Sequence, residues 1–221
     1  AATLEALDVV IARARVPISP PSWLPTPANR ALKRSVARLD AAVSTMMSAR
    51  SSDPGADLLG MLLSVRDEDD QPLSVEEIRD QLVTFIVAGH ETVASALGWA
   101  WGLLAEHPTV ADAVASEAES VAPSGAIASS DFPHLTYSRA VVEETLRLYP
   151  PAWLITRSAG SSDRIDGVEI PAGALIIVSP WLLHRHPDLW DNPEVFEPSS
   201  FASDIPRFTH IPFGGGPRLC I

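Results

Sequence analysis

Apolar residues recur at spacings of three and four through most of this chain and turn to short alternating or continuous runs only in the middle. Leu4, Leu7, Val10 and Ile11 predict a helix over residues 1–15, stopped by Pro17. Residues 17–27 (PISPPSWLPTP) predict a loop, because proline removes donors and restricts the residue before it. Leu32, Val36, Leu39, Val43 and Met46 predict a second helix over 28–50 with that stripe turned inward. Leu58, Leu59, Leu62 and Leu63 predict a short helix over 57–66, and the acidic run DEDDQP (67–72) predicts a solvated turn.

Ser74 and Glu77 then form a capping-box pattern that opens a helix. Apolar residues from Ile78 through Leu82, Phe85, Val93, Leu97 and Leu104 carry it to about residue 106, about 48 Å at 1.5 Å per residue. A further helix is predicted over 109–121, with Val110, Ala113, Val114 and Ala118 inward, and another over 136–148. After Pro150 and Pro151 the pattern changes. Residues 153–158 and 174–179 read as strands, and Asp166-Gly167 marks a hairpin between 164–165 and 168–170. A short helix over 181–186 and an irregular stretch over 191–209 follow. The fold class is mainly α with a small β region.

Composition narrows the classes. The 221 residues carry 28 acids against 16 bases, a net charge of −12, which argues against a nucleic-acid partner. One cysteine rules out an internal disulfide framework and suits a reducing, cytoplasmic compartment. Residues 1–16 hold Glu5, Asp8, Arg13 and Arg15 without a signal-peptide pattern. The long helix raises the question of a membrane span, but His90 and Glu91 near its centre oppose one.

Three stretches carry candidate chemistry. The last is PFGGGPRLCI (212–221), which joins Phe213, three glycines, Arg218 and the sole cysteine, Cys220. Such a cysteine is either a small buried hydrophobe or a thiolate held for metal binding. In the long helix lies AGHET (88–92). Ala88 and Gly89 remove bulk beside Glu91 and Thr92, which suits either helix packing or a flat ligand flanked by a carboxylate and a hydroxyl. The helix over 136–148 carries Glu144 and Arg147 at i,i+3, a spacing that permits an ion pair of little worth if exposed.

In spacing and in order these stretches resemble the cytochrome P450 family: Phe213, Gly216, Arg218 and Cys220 match its haem loop as F-x-x-G-x-R-x-C. The resemblance covers nearly the whole chain. It implies the C-terminal portion of the cytochrome P450 fold, a single partial domain over 1–221 lacking the N-terminal helices and the segment after the haem cysteine. Cys220 would be the thiolate ligand of haem b (heme, iron protoporphyrin IX), with Phe213 and the loop amides beside it. Arg218 and Arg157 would pair with the propionates. Ala88 and Gly89 would border the haem, with Ala88, Trp153 and Leu154 as pocket walls. Thr92 would hold water or hydroperoxide in a proton relay with Glu91. Glu144 and Arg147 would form a buried pair, and an arginine expected as its third member is replaced by Ser200 in FEPSSF (196–201). A neighbouring group or water must then satisfy Glu144. The H-R-H-P run at His184 and His186 would be structural, its histidines not ligands.

The implied activity is a monooxygenase acting on a small apolar organic substrate, using O2 and a ferredoxin or flavoprotein electron donor. Alternatives are a haem-thiolate isomerase or dehydratase, a haem sensor, both disfavoured by the Glu91-Thr92 pair, or a truncated haem-free chain serving at most as an interaction module.

Overall fold

The computed structural model describes residues 21, 23–50, 55–66 and 69–220. The helix predicted over 1–15 and much of the proline-rich loop lie outside these residues. The chain divides into two compact units, Ala1–His90 and Glu91–Ile221.

In the first unit, helix α1 (Pro27–Ser48) begins with Thr26, whose Oγ1 accepts the Asn29 amide at 3.1 Å, and with a proline where its missing N–H is harmless. Asn29 is buried, and its Nδ2 donates to the carbonyls of Pro21 and Leu24, both at 2.8 Å. The inward stripe differs from the sequence expectation. Ser35 and Val43 are fully buried, whereas Val36 and Met46 are exposed. Leu32 and Leu39 of that stripe are half-buried. Helix α2 (Leu58–Ser64) is capped by Asp57. Val43 meets Ile78 and Leu82 in a cluster edged by Leu59, Leu62 and Ile86.

Helix α3 (Val75–Glu106) opens with the predicted capping box: the Ser74 amide donates to Glu77 Oε2 at 2.8 Å, and the Glu77 amide donates to Ser74 Oγ at 3.2 Å. The division between the units falls within α3. Among the described residues it is the one helix long and apolar enough to cross a membrane, at a mean hydropathy of 1.2. Its two ends nonetheless enter protein cores, through Ile78 and Leu82 at one end and Leu103 at the other.

In the second unit Leu103 clusters with Val141, Leu148 and Phe196. Trp99 stacks on Tyr149 with ring centroids 3.9 Å apart. Helix α4 (Pro108–Val121) and a 3-10 turn (Ser129–His134) lead to helix α5 (Thr136–Leu148). Glu117 of α4 caps α5, accepting the amides of Tyr137 and Ser138 at 2.6 and 2.8 Å and the Ser138 hydroxyl at 2.7 Å. Burial raises the Glu117 pKa, but these hydrogen bonds outweigh it and hold the carboxyl below the usual range. The β region is two separate two-stranded ribbons rather than one small sheet. Strand β1 (Ile155–Ser158) pairs antiparallel with β4 (Leu175–Val178), while β2 (Asp163–Ile165) and β3 (Val168–Ile170) form the expected hairpin. Asp166 and Gly167 both take positive φ, 47° and 82°, as a two-residue hairpin turn of this kind requires. The short helix is α6 (Pro180–Leu183).

The centre of this unit is polar. Glu144 and Arg147 are 0% and 1% exposed. Arg147 Nε and Nη2 donate to the two carboxylate oxygens at 2.6 and 2.8 Å. Its other three N–H groups reach the carbonyls of His184 (2.8 Å), Pro193 (2.7 Å) and Val195 (2.9 Å), so all five donors are used. Glu144 also accepts the Glu197 amide at 2.8 Å. That backbone N–H is the neighbouring group the sequence called for. Stranding one partner of such a buried pair costs about 3–5 kcal/mol, so its completeness matters.

Ser200 lines an open cleft of about 380 Å³ with Arg147, Asp191, Glu197 and Asp204. Three carboxylates and vacant volume beside Ser200 favour a longer cationic side chain. Ser200→Arg is therefore expected to raise stability by about 1 kcal/mol, read as a higher urea midpoint at unchanged slope. A lowered midpoint would count against this account of the cleft.

Two histidines near the pair set a pH dependence. Burial, with the charges of Arg147 and Arg185, lowers the pKa of His184 to about 4 against the opposing bond to the Arg147 carbonyl. Burial, His184 and Arg147 lower that of His210 to about 3. The unfolded chain takes up these protons near pH 6.5 and the folded chain refuses them, so stability is full above about pH 6.5 and falls as pH drops toward about 4. The slope is up to about 1.4 kcal/mol per pH unit per histidine. Urea midpoints that stay flat from about pH 7 to pH 5 would contradict the burial of both rings.

Candidate functional site

The cysteine loop is built by backbone bonds and two left-handed glycines. The Gly214 amide donates to the Ile211 carbonyl at 3.0 Å, and the Leu219 amide to the Gly216 carbonyl at 3.0 Å across a 3-10 turn (Gly216–Arg218). The Cys220 amide closes the loop on the Phe213 carbonyl at 3.0 Å. Gly214 and Gly216 have φ of 79° and 71°, which a side chain would strain. A Cβ at Gly214 would lie 3.6 Å from Ile155 Cδ1, so β1 sits against the loop and brings Arg157 to its side of the fold. Cys220, Phe213, Gly216 and Arg218 thus share one closed turn, with Cys220 and the Phe213 ring exposed.

Arg157 lies exposed on β1, its Nη1 donating to its neighbour's carbonyl, Thr156 O, at 2.8 Å. Arg218 is exposed at the end of the 3-10 turn. On α3, Ala88, Gly89, Glu91 and Thr92 are exposed. A Cβ added at Gly89 meets no described atom within 4 Å, so that face of the helix is open at the backbone. Trp153 and Leu154 are exposed just before β1.

A cleft of about 790 Å³ opens between the start of α5, residues 201–208 and the loop at Gly214, Gly215, Gly216 and Leu219. Of the predicted site residues Gly216 lines it, and Cys220, Arg157 and Thr92 do not.

Among the described residues no three His, Cys, Asp or Glu side chains gather to hold a metal ion. An exposed thiol at the end of a glycine turn, two residues after the exposed Arg218, suits an iron that arrives with its own ring nitrogens and anionic side groups. The residues present fit haem.

Sequence reasoning missed several contributors. His184, read only as structural, is fully buried and bonds to Ile211, two residues before Phe213. Phe208 takes φ 66°, unusual for an aromatic residue, and its ring lies against Gly215. Trp190, Phe201 and His210 form an aromatic group behind the loop. No local periodicity signals these residues, since their partners are distant in sequence.

The family profile described as Cytochrome P450 matches residues 4–221. "Cyclooctatin synthase" of Streptomyces melanosporofaciens is 38% identical over 206 residues, 90% of this chain and 45% of that protein. "Cyclooctat-9-en-7-ol 5-monooxygenase" of the same organism is 37% identical over 221 residues, 97% of this chain and 48% of that protein. The chain spans about half the length of these curated relatives. The solved structure "Retinoic acid bound cyanobacterial CYP120A1" superposes with a TM-score of 0.85 at 32% identity, over 99% of this chain and 50% of that one. In motif order, fold and sequence alike, the chain belongs to the cytochrome P450 family.

Proposed function

We propose that the protein is a haem-thiolate monooxygenase, that it takes electrons from a ferredoxin or flavoprotein donor, and that it inserts one oxygen atom from O2 into a small apolar organic substrate. The observation that carries this reading is the closed Phe213–Cys220 turn, which presents the sole cysteine exposed beside β1. Relatives named "Cyclooctat-9-en-7-ol 5-monooxygenase" and "Pentalenene oxygenase" support an organic substrate of that kind. Both compact units are parts of one partial domain in this reading, and the single cysteine suits a cytoplasmic site.

Haem b, when bound, supplies the iron chemistry that activates O2, and a thiolate ligand favours O–O cleavage. Cys220 Sγ would bind the iron, and the loop amides would moderate its basicity. Arg218 and Arg157 would hold the propionates and so orient the ring. Ala88 and Gly89 keep the helix surface free of bulk, as a flat ligand requires. Thr92 Oγ1 would hold a water, and the Glu91 carboxylate would take a proton from solvent and pass it to that water. Apolar walls such as Trp153 and Leu154 would exclude other water.

Two outcomes are expected of the protein expressed with haem supply, both alone and within its full reading frame. Cys220→Ser abolishes the strongly red-shifted Soret band of the reduced, CO-treated form; an unchanged band would remove Cys220 as ligand. Thr92→Ala keeps that band but lowers product formed per electron consumed by about tenfold or more, the scale of a lost proton-transfer group. Unchanged coupling would take Thr92 out of the relay.

A further inference from the structure

One buried side chain links the ion pair to the cysteine turn. His184 is fully buried at the end of α6. Its ring Nδ1 lies 3.2 Å from the Arg147 carbonyl oxygen, and its Nε2 lies 2.9 Å from the Ile211 amide nitrogen. An amide can only donate, so Nε2 accepts. The proton therefore sits on Nδ1 and is donated to Arg147 O, which assigns the tautomer. His184 also offers its own carbonyl to Arg147 Nη1 at 2.8 Å. From Ile211 the path goes on: its carbonyl accepts the Gly214 amide, and the Phe213 carbonyl accepts the Cys220 amide. No regular helix or strand spans residues 202–215. Among the described residues His184 is the side chain recorded bonding to the backbone at Ile211.

We propose that His184 is a positioning residue for the haem-thiolate turn: its neutral ring carries the placement of helix α5 to Ile211 and thereby sets where the Phe213–Cys220 turn stands. The ring uses both nitrogens in opposite senses, and the accepting Nε2 is the one that holds Ile211. Asparagine can keep a donor near the Nδ1 position but does not reach Ile211. Glutamine can place its Oε1 near the Nε2 position and accept from Ile211. A positively charged ring cannot accept at all, which agrees with its holding off protonation until about pH 4.

The test compares His184→Asn with His184→Gln in the protein expressed from its full reading frame with haem supply, with His186→Gln at the neighbouring exposed histidine as control. Amide hydrogen exchange is read at Ile211 and, as reference, within α5. His184→Asn is expected to raise Ile211 exchange by at least about fivefold relative to α5, while His184→Gln and His186→Gln leave it within about twofold. Equal Ile211 exchange in the Asn and Gln variants, whether both protected or both open, overturns the proposal. The second readout is the reduced, CO-treated spectrum. The Asn variant should lose its red-shifted Soret component at milder denaturant than the Gln variant, and identical loss would likewise overturn a link to the turn. The optical arm rests on the haem-thiolate reading and the exchange arm does not, so failure of each is distinguishable: absence of the red-shifted band in the unsubstituted protein would sink that reading alone.

Discussion

Arg147 has five N–H donors, no acceptor and almost no contact with water. A guanidinium in that position must find five oxygens, and the surrounding chain is arranged to provide them. Two come from Glu144 on the same helix, one turn back. The other three are carbonyls at positions 184, 193 and 195, in a stretch with little regular structure. Those carbonyls have no ladder of their own to join, so the guanidinium is their partner as much as they are its. The need is mutual, and it freezes an irregular segment as firmly as a sheet would.

The consequence runs outward along the chain. Glu144 takes the Glu197 amide, which holds the meander on its far side. His184 turns the same site toward Ile211 and the turn that ends in Cys220. Around these directional bonds lie the aromatic rings of Trp190, Phe201 and His210, which exclude water and thereby strengthen each bond. The turn itself has few apolar contacts, and Phe213 and Leu219 are exposed. Its placement therefore depends on the polar core behind it and on the contact of Gly214 with Ile155. The position of the turn is therefore set by the irregular segment before it rather than by a helix or strand.

Legibility from sequence varied with the range of the interaction. The capping box at Ser74 and Glu77, the Asp166-Gly167 hairpin and the long α3 helix were all readable, because each depends on residues within a few positions of one another. On α1 periodicity found Val43 but not the buried Asn29, whose anchors are carbonyls five and eight residues back, because periodicity does not count polar anchors. The β region reads as strands from its apolar runs, but pairing into two ribbons depends on register. The departure at Ser200 was visible, and what compensates for it was not: a backbone amide has no side-chain signature.

The sequence by itself determined the family's motif order and the mainly helical class, because composition and short spacings hold that information. Tertiary structure decided that Glu144 and Arg147 are buried rather than a weak surface pair, and that all five guanidinium donors are satisfied. It also decided that a histidine joins their helix to the cysteine turn. These are contacts across 27 to 53 residues. Their strength comes from exclusion of water, and only the folded chain excludes it.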